Sequence, residues 1–168
     1  MPTSVPVWSG QPPDPDVSGR SFTIMSVGDQ ARAIARAWAR SLEESGAVAV
    51  ARHWPDAGQV AVEALAQEMR SATVGWRLML AGPEADVLVL QAAALREGAV
   101  RTEIRTHATD RQERRTLCTH CGHITRSRTA LGATHPCGGC ARTLVVYHHV
   151  SRRHAAYMGY MADAEEAP

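Results

Sequence analysis

The chain has 168 residues, 45% of them hydrophobic and 21% charged, which is enough to bury one ordinary core plus a small module and too apolar for a disordered chain. No uninterrupted apolar run approaches the roughly 18 residues of a membrane span, so a soluble protein is expected. Net charge is +1 with Arg as the only basic residue besides His, yet residues 101–160 carry 10 Arg against 3 acidic residues while residues 1–100 carry 8 against 11. The basic last third can steer an acidic partner, whereas the near-neutral whole argues against a dedicated DNA binder.

Five prolines in the first 20 residues (Pro2, Pro6, Pro12, Pro13, Pro15) preclude helix interiors and central strands, and predict an extended, mobile or draped arm that Trp8 could anchor. From residue 21 the pattern alternates. Residues 22–27 form an apolar run ending at Gly28; Ile34, Trp38 and Leu42 then recur at four-residue spacing, which predicts a helix closed by Gly46. Residues 47–51 read as a second, buried strand, residues 60–69 as a second helix with Val62, Leu65 and Met69 inward, and residues 76–81 as a third strand. Gly82-Pro83-Glu84 is a turn with Pro suited to a helix start, and the helix runs through Val87, Leu90, Ala94 and Leu95 to Gly98. Residues 100–106 alternate as a fourth strand. Strand and helix in regular alternation predict a small three-layer α/β domain with a parallel sheet.

The first strand-to-helix turn, Val27-Gly28-Asp29-Gln30-Ala31, has one Gly, and Asp29 would repel phosphate there while serving as a helix cap. Neither a nucleotide loop nor a Ser/His/Asp set or paired-carboxylate motif stands out. No catalytic residue is assigned, and the chain is read as incomplete as an enzyme by itself.

All four cysteines lie within 23 residues: Cys118-x2-Cys121, fifteen residues, then Cys137-x2-Cys140. This spacing predicts a rubredoxin- or zinc-ribbon-like module, because two thiolates two residues apart turn inward from one tight loop and two such loops complete tetrahedral S4 coordination. A disulfide framework would be spread along the chain, and the first residues carry no charged segment followed by an apolar stretch, so a cytoplasmic protein is expected. Gly122, Gly138 and Gly139 allow the loop backbone, and Arg114, Arg115, Arg126, Arg128 and Arg142 are expected to favour thiolates and hold acidic partners. Four thiolates suit zinc or a single iron. Gly122 after Cys121 fits a rubredoxin-like knuckle, while Ala141 after Cys140 and the scarcity of aromatics favour zinc. His120 and His123 flank a knuckle as neighbours rather than ligands. His148 and His149 sit on or beyond a strand at residues 143–147, and adjacent strand residues face opposite sides, so no second metal site is expected. In the tail, Ala156, Tyr157, Tyr160 and Met161 would form one apolar strip if helical, suited to core packing or to docking a partner.

The runs Leu117-Cys118-Thr119-His120-Cys121-Gly122, Cys137-Gly138-Gly139-Cys140, Leu144-Val145-Val146, His149-Val150-Ser151 and Ala155-Ala156-Tyr157-Met158-Gly159 resemble the small subunit of bacterial dimethylamine monooxygenase. The resemblance implies an accessory subunit of a multi-subunit oxygenase that uses NADPH and O2 to convert dimethylamine to methylamine and formaldehyde. Haem is then expected on a catalytic partner subunit, and flavin and an iron–sulfur cluster on a reductase partner. Within such a complex the cysteine module would serve assembly as zinc or relay single electrons as iron. Trp76-Arg77-Leu78-Met79-Leu80-Ala81-Gly82-Pro83-Glu84 also looks like the end of the pyridine-nucleotide lobe of ferredoxin reductases, with Ala81 where that lobe has Cys. The competing reading is a zinc-ribbon module for protein or nucleic-acid interaction. The expected division is residues 1–20 as the arm, 21–108 as the α/β domain, 109–150 as the four-Cys ribbon and 151–168 as a docking tail.

Overall fold

A computed structural model describes residues 4–163; Pro2 of the expected arm and residues 164–168 of the expected tail lie outside them. The chain divides into two units, one spanning Trp8–Asp110 and the other running from Arg111 onward together with residues 4–7.

The first unit contains β1 (Ser21–Val27), α1 (Asp29–Glu44), β2 (Val48–Trp54), α2 (Gln59–Arg70), β3 (Trp76–Gly82), α3 (Glu84–Arg96) and β4 (Ile104–Ala108). All strands are parallel, in the order β2-β1-β3-β4. The period-two pattern splits β1 and β3 between two cores. Phe22, Ile24, Met79 and Ala81 face α1 through Ala31, Ala35, Trp38 and Leu42. Met25, Val27, Leu78 and Leu80 face the opposite side, toward Leu65 of α2 and Val87, Leu90 and Ala94 of α3. The expected three layers are therefore present. Each fully buried Leu, Met or Ile here stabilises the unit by about 1.5–3 kcal/mol relative to its exposed state.

Three local expectations need correction. Strand β2 is not buried: it pairs only with β1, and at this edge Val48 and Val50 are 69% and 38% exposed. Asp29 does not cap α1. Gly28, at φ 72°, is the N-cap residue, and the Asp29 carboxylate instead pairs with Arg32 one turn on at 3.3 Å. Residues 101–103 are a 3-10 turn before β4, closed by the Glu103 carboxylate accepting the Val100 N–H at 2.9 Å. Gly46 and Gly98 end α1 and α3 with φ of 76° and 104°, the left-handed conformation that glycine adopts without strain.

The arm is draped. Trp38 Nε1–H donates to the Pro13 carbonyl at 2.8 Å, Arg77 pairs with Asp16 at 3.1 Å, and Trp8 packs against the α2/α3 core. Residues 8–20 are thus part of the first unit, while Ser4 Oγ accepts the Val150 N–H at 2.7 Å in the second.

The second unit is a five-stranded sheet of β5 (Arg114–Cys118), β6 (Ile124–Ser127), β7 (Thr134–Pro136), β8 (Thr143–Ser151) and β9 (Ala156–Met161), in the order β6-β5-β9-β8-β7. Residues 151–161, the described part of the tail in which an apolar strip is expected if it is helical, close β8 and form β9. The segment Ala156-Tyr157-Met158-Gly159-Tyr160-Met161 is too short to separate the two periodicities, and it lies between two open strand edges, where the strand satisfies its backbone groups. Tyr157 is buried, with the Arg114 guanidinium 5.9 Å from its ring centroid.

Among the described residues, no helix is long and apolar enough to cross a membrane.

Candidate metal centre

The four cysteines converge from two loops of the second unit. Cys118 ends β5 and Cys121 follows in the turn toward β6; Cys137 follows β7 and Cys140 precedes β8. The loops share one hydrogen-bond pattern. The Cys118 carbonyl accepts the Gly122 N–H at 2.9 Å and the Cys118 N–H donates to the His123 carbonyl at 2.9 Å. In the second loop the Cys137 carbonyl accepts the Ala141 N–H at 2.9 Å and the Cys137 N–H donates to the Arg142 carbonyl at 2.8 Å.

The residue after the second Cys is left-handed in both loops, Gly122 at φ 74° and Ala141 at φ 58°. Gly122 takes this conformation freely, whereas Ala141 holds a Cβ against the following carbonyl. Ala141→Gly is therefore expected to raise the stability of this unit by up to about 1 kcal/mol, since relief of the left-handed strain exceeds the added freedom of the unfolded chain. A higher denaturant midpoint with an unchanged slope checks this; an unchanged or lower midpoint refutes it.

All four sulfurs lie within 4.8 Å of one another, with Cys121 and Cys137 Sγ 3.6 Å apart and Cys118 and Cys140 Sγ 3.8 Å apart. A tetrahedron with metal–sulfur bonds of about 2.3 Å has edges of about 3.8 Å, so the cluster could hold a tetrahedral metal ion. Cys118 and Cys137 are buried, Cys140 is half-buried and Cys121 is exposed. The site thus has one sealed side and one wet thiol.

The thiols are not equivalent. Hydrogen bonds from the Cys140 N–H, then the Gly139 N–H, outweigh desolvation and hold Cys137 down at about 6, with the Cys121 and Cys140 thiols assisting. Cys121 is pushed up to about 12: the His123 N–H favours its thiolate, but desolvation and the sulfurs of Cys137, Cys140 and Cys118 together outweigh that bond. Four sulfurs this close share their protons, and a bound cation lets all of them ionise.

Backbone N–H groups, rather than the expected arginines, favour the thiolate at Cys137. The arginines are occupied along the strands: Arg115 Nε donates to the Ala155 carbonyl at 3.1 Å, Arg126 pairs with Glu113 at 3.3 Å and Arg128 donates to Gln112 Oε1 at 3.1 Å. His120 and His123 are both exposed. His123 explains two glycines: a Cβ on Gly139 would stand 2.7 Å from His123 Cβ, and one on Gly138 would stand 3.2 Å from His123 Nε2. That neighbour was not legible from the Cys-Gly-Gly-Cys run itself. His148 and His149 are both exposed where the β8–β9 register shifts, so the expected alternation fails at a bulge. Among the described residues, the four cysteines are the only cluster able to hold a metal ion.

The first unit offers a second concavity, at the crevice where its strand order reverses between β1 and β3. A cavity of about 200 Å³ there is lined by Val27, Gly28, Asp29, Pro83 and Asp110 among others. Two carboxylates and no cation at its wall disfavour a phosphate, as the single-Gly turn suggests.

Residues 115–160 match the family described as dimethylamine monooxygenase subunit DmmA-like, C-terminal domain, which bears out the resemblance carried by the cysteine runs and the 155–159 segment. The chain is also 35% identical over 102 residues, 61% of its length, to the heme-dependent oxidative N-demethylase delta subunit of Ectopseudomonas mendocina (strain ymp). That alignment spans 57% of the relative's own length. No solved structure matches the chain.

Proposed function

Because residues 115–160 carry the DmmA-like C-terminal domain, we propose that this chain is an accessory, non-haem subunit of an oxidative N-demethylase complex. The complex is cytoplasmic and consumes NADPH and O2 to convert dimethylamine to methylamine and formaldehyde. Haem resides on its catalytic subunit, and flavin and an iron–sulfur cluster reside on its reductase.

The observation that carries this reading is the four-sulfur cluster inside the family-matched segment, with Cys121 at the surface. Cys118, Cys121, Cys137 and Cys140 would hold a single iron, which would supply one-electron chemistry to the complex. The chain's own contribution is geometric. Cys118 and Cys137 seal one side of the centre against water, N–H groups of Gly139 and Cys140 stabilise the charge on Cys137 sulfur, and the exposed Cys121 edge is the path to a partner. A structural zinc in the same cage would instead lock a docking surface and leave every redox step to the partners.

The test is elemental analysis with an absorption spectrum on the untagged chain, co-expressed with its genomic neighbours. Stoichiometric iron with thiolate charge-transfer bands that bleach on reduction, in a preparation containing a haem protein and a flavoprotein, is the expected result. Colourless stoichiometric zinc would overturn the relay. Failure to co-purify with a haem protein, together with salt-sensitive binding to random oligonucleotides, would overturn the subunit reading in favour of a nucleic-acid ribbon.

A further inference from the structure

Strand β2 leaves one edge of the parallel sheet open, and little in its sequence protects that edge. It runs seven residues, Val48–Trp54, without a proline or a bulge, and its pairing with β1 is unbroken along its whole length. The run Val48-Ala49-Val50-Ala51 is apolar, and the one charged side chain of the strand, Arg52, is held by Glu68 of α2 at 2.7 Å. The Trp54 carbonyl accepts the Gly28 N–H at 3.0 Å and the Arg52 carbonyl accepts the Ser26 hydroxyl at 3.3 Å, so the even-numbered residues turn their backbone toward β1. By alternation Ala49, Ala51 and His53 present their N–H and C=O groups to the open side. Soluble proteins usually blunt such an edge with Lys, Pro or a bulge, because its unpaired groups template another strand.

Both faces of the edge carry space beside the strand. On the α1 side a cavity of about 220 Å³ is lined by Ala35, Ala39 and Ala51 among others, and on the α2 side one of about 130 Å³ is lined by Val48, Val50 and Trp76 among others. Helix α1 adds a gradient of charge along this rim. Arg32, Arg36, Ala39 and Glu43 recur at three- and four-residue spacing and form one stripe, of which the first three border the cavity beside β2. Arg36 and Glu43 are exposed and form no ion pair among the described residues. The stripe is thus basic in the first half of α1 and acidic at its carboxyl end.

We propose that the β2 edge is a homodimer interface, in which two copies of this chain pair β2 with β2 antiparallel about a two-fold axis at Val50 and join their four-stranded sheets into one. In that register Ala49 and Ala51 exchange backbone hydrogen bonds across the axis, Val50 meets its own symmetry mate, and Arg52 lies opposite Val48 rather than opposite a second Arg52. The same axis reverses α1, so Arg36 of each copy faces Glu43 of the other. Helix α1 packs on both β1 and β2, which puts its mate about two strand spacings away, roughly 10 Å, a helix-packing distance that Ala35 and Ala39 leave unobstructed. The backbone bonds and the burial of Val48, Val50 and the alanines supply the affinity, while exposed ion pairs are weak and set the orientation instead. This self-complementary stripe selects a second copy. A foreign strand added to the edge would pair the backbone and leave both charge sets unmatched.

The test is sedimentation equilibrium of the full untagged chain across a concentration series at low ionic strength, read beside circular dichroism. The expected result is a reversible monomer–dimer equilibrium whose dissociation constant rises about tenfold or more in Val50→Lys, which sets two ammonium groups together at the axis, with the circular dichroism unchanged. Glu43→Arg is expected to weaken the dimer and Glu43→Arg with Arg36→Glu to restore it, a recovery that a folding defect could not produce. A monomer at every concentration up to about 100 μM would overturn the proposal and leave the edge to a strand of a different protein. A dimer indifferent to Val50→Lys would overturn it by placing the interface elsewhere, and a double variant that does not recover would overturn the two-fold arrangement. None of these results depends on the metal content of the other unit or on a co-purifying haem protein.

Discussion

Cys137→Ser is expected to leave the second unit unable to retain a metal ion and to unfold it, while the α/β unit keeps its own transition. The packed cluster around the site consists of Cys118, Cys137 and Leu144, with Cys140 against it, so the sulfurs are themselves most of the local core. Coordination free energy in small four-ligand modules is on the order of 10 kcal/mol, as large as the whole stability of an ordinary domain. No rearrangement of one Leu and three thiols can replace it. The α/β unit has two apolar cores of its own. Metal analysis and calorimetry on the variant check the expectation: metal below one tenth of stoichiometry and loss of one of two transitions are the predicted signs. Full metal content with unchanged melting would refute it.

Deleting residues 152–168 is expected to abolish the metal site as well, although none of the deleted residues is a cysteine. Strand β9 lies in the middle of the sheet, parallel to β5 and antiparallel to β8, with Gly159 opposite Cys118 on one side and Val146 on the other. The Thr119 N–H and Oγ both donate to the Gly159 carbonyl, at 3.0 and 3.1 Å, so β9 fixes the residue that follows Cys118 in the first loop. Loss of a central strand exposes two edges and leaves these groups unpaired. A tail that served only to dock a partner would leave the metal in place, so a truncated chain with stoichiometric metal would refute the structural role. Gly159→Val makes the same test without truncation: a Cβ there would stand 2.7 Å from Thr116 Cγ2 and 3.1 Å from the Leu117 carbonyl oxygen. The expected cost is about 1–3 kcal/mol or more of overpacking, read as weakened metal retention.

The elements whose signals are local were legible in the residues themselves. Ile34, Trp38 and Leu42 mark one helix face because 3.6 residues complete a turn, and β3 reads as a buried run because both of its faces are covered. The cysteine spacing required its two loops, since ligand pairs two residues apart converge only from such a turn. The resemblance extended the reading along the C-terminal segment, where the family match later fell.

What the sequence by itself determined about this protein is therefore the order of its α/β elements and the four sulfurs that meet. The tertiary structure alone decided that β2 is an exposed edge with a cavity on each face, and that residues 156–161 are a central strand. The physical reason is range: helix periodicity and knuckle geometry are set by neighbours within a few residues, whereas strand order and edge exposure are set by segments far apart in the chain. Short segments that fit either periodicity take the conformation that their distant partners satisfy.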